Sequence, residues 1–328
     1  MIQPATDWQE ITGPDETSRH ERYAKLITII QKRKSKEYGT GRALHRKQIL
    51  GLEGTFSVHD NLPVHAAQGL FARPASYACL IRYSNGGLDR KADSVPDIRG
   101  LALKILGLDH PGALGGQTNS QDFLTINQEV FSAKDSKEFM GVVEASVKGH
   151  LDVLKYMIRT HGLWTGLLRM KTAIGMLTRT FRGFASETFN TVLPFACGPY
   201  AARLRILPAR KESFPDAKKD WAADLKKHLG QGPLVHEVQL QFFVSEEATP
   251  IEDGSRPWQE KLSPWITVGT LTIPQQPLEG QTALEREARM DQTIFDPWNA
   301  LSEHRPLGEI MRARKVAYFA SQKARGAR

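Results

Sequence analysis

LALKILGL (101–108) puts Leu101, Leu103 and Ile105 on one face of an extended chain and Lys104 on the other, the period-two pattern of a half-buried strand. Outward from it, YACLIRYS (77–84) is rich in strand formers, GTFSVHD (54–60) alternates again, and DFLTIN (122–127) follows as a fourth strand. Glycine, asparagine and aspartate between these runs supply turns. The pattern resumes in AARLRILP (201–208), HEVQLQFFV (236–244) and WITVGTLTI (265–273). Helical spacing occupies residues 15–38, where Tyr23, Leu26, Ile27 and Ile30 form a stripe, then 145–184, then the last third from Leu284, with a loop at 295–308. Many antiparallel strands, with helices collected mainly after them, predict an α+β fold: a closed barrel with helical additions. No repeat, low-complexity linker or composition break marks a boundary. One domain is expected over 1–328, with a helical arm over about 1–40, the barrel over about 41–275 and a helical region over about 280–328.

Composition narrows the function classes. The 328 residues are 40% hydrophobic and 24% charged, ample for a sizeable core. The start, MIQPATDWQEITGPDE, has neither a basic opening nor an apolar stretch, and no window approaches the roughly 20 apolar residues of a spanning helix. The two cysteines, Cys79 and Cys197, make no ligand cluster or disulfide framework. A cytoplasmic protein is expected. The net charge of +8 comes from scattered Lys and Arg rather than runs, and no zinc spacing, RNP-type aromatic run or basic zipper is present. Nucleic acid is therefore not an expected partner. Residues 145–184 are both apolar and basic, interleaving Leu151, Trp164, Leu167 and Leu168 with Lys155, Arg159, Arg169 and Lys171. They read either as helices packed over the barrel or as a patch, over about 150–184, that meets a membrane surface or fatty acids.

Six motifs in order take the reading further. RALHRKQILGLEGTFSVHD (42–60) resembles the segment of haem catalases that carries the distal histidine, here His45. RYS (82–84) and ADSVPDIRGLALK (92–104) resemble the next strand, acidic turn and Arg-Gly strand of that family. TNSQDFLTINQEVF (118–131) is similar to its distal-asparagine segment, with the asparagine at Asn119. FDPWN (295–299) resembles the loop before the proximal helix, and RKVAY (314–318) matches the Arg-x-x-x-Tyr pattern whose tyrosine binds iron. The resemblance runs from about residue 40 to the C-terminus, with residues 135–195 poorly matched. It implies a catalase-like core, an eight-stranded antiparallel β-barrel around haem b with helices outside, assembled as a homo-oligomer.

The resemblance also assigns roles. Tyr318 is the implied iron ligand, and Arg314, one helical turn earlier, lies on the same face and can donate hydrogen bonds to a phenolate. His45 is the implied acid–base group, oriented by Ser84, because a neutral imidazole can shuttle a proton between peroxide oxygens. Asn119 would orient the O–O bond with its amide hydrogens. Arg42, Arg82 and Arg325 fall where the family places arginines for haem propionates, a task suited to a planar, permanently charged fork. Phe131 and Leu44 would pack on the porphyrin face, and Asp97 corresponds to the acid of the access channel. The implied reaction is heterolytic cleavage of hydrogen peroxide or an organic peroxide, giving water or an alcohol respectively and an oxoferryl intermediate that a second peroxide or an organic electron donor then reduces.

Departures from the family pattern widen the alternatives. The chain is shorter than typical catalases, ending ten residues after Tyr318. Asn85 and Gly86 follow Ser84 where catalases usually have a threonine and a channel-narrowing valine, and Pro96 replaces an arginine before the channel acid. A wider route to iron would favour organic donors or lipid hydroperoxides. Coral-type allene oxide synthases are also similar, though they place a threonine where this chain has Leu44. A fatty-acid hydroperoxide isomerase or lyase is thus one alternative, and a non-catalytic haem-binding protein another. The other histidines, such as His59, His65 and His304, show no metal-ligand spacing and are expected to be structural or at the surface.

Overall fold

A computed structural model describes residues 3–210 and 219–327 of the chain. Helix α1 (Glu16–Tyr38) precedes β1 (Gln48–Val58), β2 (Ser76–Asn85), β3 (Arg99–Pro111) and β4 (Gln117–Ile126). Helices α2 (Ser136–Lys148), α3 (His150–His161) and α4 (Leu163–Thr178) interrupt the sheet before β5 (Phe189–Asn190), β6 (Phe195–Cys197) and β7 (Tyr200–Pro208). Then come α5 (Trp221–Gln231), β8 (Leu234–Phe242), β9 (Ile266–Ile273), α6 (Gly280–Gln292) and α7 (Glu309–Arg325).

Every ladder is antiparallel. Strands β1 to β5 pair in order, β5 pairs with β7, and β7, β8 and β9 lead back to β1, so eight strands close into a barrel. The ninth, β6, lies on β7 beside β5. Closure leaves no long open edge for aggregation. The alternating faces read from sequence point inward as expected: Leu52, Phe56, Ile81, Leu101, Leu103 and Ile105 are fully buried in one core. Each such side chain contributes roughly 1.5–3 kcal/mol by leaving water.

The structure adjusts the sequence reading at three places. Strand β1 begins at Gln48, well before residue 54, because the barrel pairs Gln48 with Ser84. Closure depends on the two residues of β5, too short for any periodicity to reveal. Helix α5 was not expected; it is capped by the Asp220 side chain on the Ala223 amide at 2.9 Å and buries Trp221, Leu225 and Leu229.

Helix α7 carries both Arg314 and Tyr318, and three contacts fix its position. The Trp298 indole donates to the Met311 carbonyl at 2.7 Å, and the Gln322 amide donates to Asp296 at 2.6 Å, so the FDPWN loop grips the helix twice. That loop is itself tied to β4, where Asp122 accepts from the Asp296 amide at 2.9 Å and Ser120 accepts from Asn299 at 2.8 Å. At the start of α7, Glu309 accepts from the Ser136 amide and from Arg19, at 2.7 Å and 3.0 Å, and lies 2.7 Å from the His20 ring. These contacts join α1, α2 and α7 through one carboxylate.

Burial pushes the Glu309 carboxyl up, but the hydrogen bonds from His20, Ser136 and Arg19 outweigh it and hold the group at about 2. Because this value is depressed, its stabilisation is present above the ordinary carboxylate range and fades as pH falls towards 2. Replacing Glu309 with Gln should lower stability at neutral pH by on the order of 3 kcal/mol and flatten the loss below pH ~4.5. Urea unfolding across pH checks this, and an unchanged slope in the variant would contradict it.

Candidate functional site

One cavity of about 360 Å³ lies between α7, α1 and the barrel, and its walls bring together nearly all the residues singled out from the sequence. Helix α7 contributes Arg314, Tyr318, Ser321 and Arg325, spaced so that they share one helix face. The segment before β1 contributes Arg42, Leu44 and His45; β2 contributes Arg82 and Ser84; Asp97 and Phe131 also reach the cavity.

Arg314 and Tyr318 are joined as their spacing predicts, the guanidinium donating to the phenol oxygen at 2.9 Å. A second Arg314 nitrogen lies 3.5 Å from the Met311 sulfur, so the side chain is steered from behind.

His45 is held in an unusual way. Its backbone adopts φ +50°, in the left-handed region that non-glycine residues rarely occupy. Its amide donates to the Gly86 carbonyl at 3.0 Å, its carbonyl accepts from Arg82 at 3.0 Å, and its Nδ1 lies 3.0 Å from the Ser84 hydroxyl. Gly100 supplies the floor: a Cβ there would come within 2.6 Å of the His45 ring. Burial, reinforced by the charges of Arg82, Arg314 and Arg42, holds the imidazole down to about 3. At neutral pH it is therefore uncharged.

At the opposite end of α7 three guanidiniums gather around one carboxylate. Arg42 pairs with Asp291 at 2.9 Å, Arg82 lies 3.7 Å from the same carboxylate, and Arg325 donates to the Asp291 and Thr293 carbonyls at 3.2 and 3.3 Å. Burial, followed by repulsion from Arg42, pushes Arg82 well below its ordinary value, and the same two causes bring Arg325 down to about 10. Guanidinium stays protonated in proteins, so these shifts express a local demand for negative charge. Their donors are engaged on Asp291, on the Thr293 carbonyl and, for Arg82, on Gln48 and the His45 carbonyl, and a ligand carrying two carboxylates would add negative charge beside three guanidiniums.

These features fit haem. A lone phenol cannot hold a bare ion, but a porphyrin supplies ligands of its own, and Tyr318 would supply the oxygen donor that the protein adds. The apolar side of the cavity, formed in part by Ile27, Leu101, Val130, Phe131, Met140 and Ile310, suits a flat hydrocarbon ring, and the arginine cluster suits its two propionates.

Asn119 is a correction. It is exposed and does not line the cavity, where β4 is represented by Leu124, Thr125 and Ile126. It lies five residues before Leu124, about 16 Å back along an extended chain. There the β3–β4 register shifts between Leu106 and His110, and neighbouring Ser120 turns inward to Asn299. The segment that resembles a distal-asparagine motif thus anchors the FDPWN loop instead. No asparagine lines the cavity among the described residues.

The expected opening is corrected in part. Asn85 turns away, its amide donating to Asp93 at 3.2 Å. Gly86 and Gly87 do line the wall, and a Cβ at Gly86 would meet the Ile98 carbonyl at 2.9 Å. Asp97 accepts from the Gly87 amide at 3.0 Å, and burial raises its carboxyl. Sequence reasoning missed Asp291, which has no motif, and Ser321, which the helical spacing from Tyr318 could have revealed.

If the His45 ring packs directly on Gly100, Gly100→Ala should cost about 1–3 kcal/mol, and this cost should largely vanish in a His45→Ala background. Urea unfolding of the four proteins completes the cycle, and equal costs in both backgrounds would contradict the packing.

No family model matches the sequence, and no curated protein matches it. Solved structures do. A fungal catalase superposes with a TM-score of 0.69 at 15% identity, over 87% of this chain and 59% of its own. Catalase A from Saccharomyces cerevisiae gives 0.69 at 16%, over 99% and 67%. A bacterial catalase gives 0.67 at 17%, over 99% and 63%. The chain spans about three fifths to two thirds of the length of the structures it matches. At these identities the likeness concerns architecture, and the chain has the catalase fold: a closed eight-stranded antiparallel barrel with helices around it.

Proposed function

We propose that this protein is a haem-dependent oxidoreductase that consumes hydrogen peroxide or an organic hydroperoxide, with an organic compound as electron donor. The single observation that carries this reading is the sharing of one cavity by an Arg314–Tyr318 pair and a neutral, half-buried His45. Tyr318 would hold the iron through its phenol oxygen, and Arg314 complements that oxygen with a fixed positive charge and an N–H donor. Arg42, Arg82 and Arg325 would bind the propionates, while Phe131 and Leu44 pack on the ring. Bound haem supplies a redox-active iron at which the O–O bond is cleaved.

The remaining work belongs to His45 and its neighbours. With Nδ1–H donating to the Ser84 hydroxyl, Nε2 keeps its lone pair and can take a proton from one peroxide oxygen and return it to the other. Burial and three positive neighbours, Arg82, Arg314 and Arg42, oppose a lasting imidazolium, so the proton is passed on rather than kept. Asn119 has no part in this scheme, and orientation of the peroxide falls to His45 and the cavity wall. The apolar side of the cavity, with Ile27, Val130, Phe131 and Met140, supports an organic substrate or donor over a second hydrogen peroxide. A passive haem carrier would not need a strained, neutral histidine seated on Ser84 and Gly100.

On haem-loaded protein, His45→Ala should cut peroxide turnover about 10²–10⁴-fold while haem stays bound. Oxygen release, dye oxidation and lipid-hydroperoxide turnover, measured in parallel, separate a catalase, a peroxidase and an allene-oxide-synthase-type isomerase. Turnover unchanged by the substitution would overturn the proposal.

A further inference from the structure

Helices α3 and α4 form the least covered part of the molecule. Of the 16 residues of α4 only Gly166 is buried, pressed so close to α3 that a Cβ would come within 2.8 Å of the Ile158 backbone. The rest of α4 presents large apolar side chains to solvent: Trp164 is 81% exposed, Leu168 63%, Leu163 53% and Ile174 51%, with Leu151 of α3 at 72%. At helical spacing, Leu163, Leu167 and Ile174 form one row and Trp164 and Leu168 the next. Contiguous apolar surface of this kind marks an interaction site.

The charge around it identifies the partner. Residues 148–182 hold seven Lys or Arg and a single acid, Asp152, a net +6 of the whole chain's +8. Glu138 and Glu187 engage Arg169 and Arg179, which leaves the face positive. A second copy of the same face would meet like charge with like charge, which disfavours self-association there. An apolar face with an exposed tryptophan and flanking cations complements the interface of an anionic bilayer, where rings and leucines enter the acyl boundary and cations meet head groups. Among the described residues no helix is long and apolar enough to cross a membrane, so the contact is with its surface.

We propose that α3 and α4 dock the protein on bilayers that carry anionic lipid. The helices are not remote from the cavity: Met176 of α4 lines it, and the Met176 carbonyl accepts from Gln128 at 3.0 Å. A docked bilayer would lie against the helix that forms part of the cavity wall. The inference does not depend on haem, so its failure and that of the proposed chemistry are separate results.

Sedimentation with vesicles of phosphatidylcholine, alone or mixed with phosphatidylglycerol, tests it. The wild-type chain should pellet with the mixed vesicles, less so at high salt, and stay in solution with phosphatidylcholine alone. Lys155→Gln with Lys171→Gln should weaken binding about fivefold for each charge removed, and Trp164→Ser with Leu168→Ser should abolish it. Unchanged thermal unfolding shows that the variants remain folded. Absence of binding to the mixed vesicles, or binding indifferent to both pairs of substitutions, overturns the proposal. So does a monomer–dimer equilibrium in sedimentation velocity that Trp164→Ser with Leu168→Ser removes, which would assign the face to a second copy.

Discussion

A guanidinium nitrogen of Arg314 sits 2.9 Å from the Tyr318 oxygen, and the rest of the molecule is arranged to keep that pair in one cavity with His45. Side chains four apart on a helix meet without help, so the pairing is inexpensive. Aiming it is harder, because a helix outside the barrel keeps its direction only where tertiary contacts hold it. Glu309, Trp298 and Gln322 supply those contacts, and through them α7 is tied to α1, α2 and β4. The barrel serves as the frame against which the helix is indexed.

The other wall shows the reverse economy. His45 is held by backbone strain, a missing side chain at Gly100 and the Ser84 hydroxyl, in surroundings that keep it uncharged. Local strain of this sort costs on the order of 1–3 kcal/mol and persists only where surrounding structure over-determines it. The arginine cluster around Asp291 is likewise unfavourable until negative charge arrives. A strained histidine and an excess of positive charge sharing one cavity are the mark of a site built for a ligand.

Much of this was legible from residues alone, for physical reasons. Period-two patterning exposed the long strands, because each has one face in the barrel core, as Leu101, Leu103 and Ile105 do. The pair at Tyr318 was legible because helix geometry fixes which side chains meet. Asp291 was not, since its bond to Arg42 joins residues 249 positions apart and nothing local marks it. Asn119 was misplaced because a motif does not fix position along a strand: Asn119 lies beyond the regular β3–β4 ladder, and Leu124 to Ile126, further along β4, reach the cavity instead. The two-residue closing strand β5 has no pattern to read. Over α3 and α4, composition gave the apolar and basic character, while the choice between packed helices and open surface needed the fold, which leaves that face uncovered.

The phenol at Tyr318 is the claim on which the functional account turns, and absorption spectroscopy tests it most directly. Ferric haem titrated into the purified chain should saturate at a single equivalent with a high-spin spectrum carrying tyrosinate features. Tyr318→Phe, folded to the same degree, should lose those features and bind haem weakly. An identical spectrum and affinity in the phenylalanine variant would contradict the account.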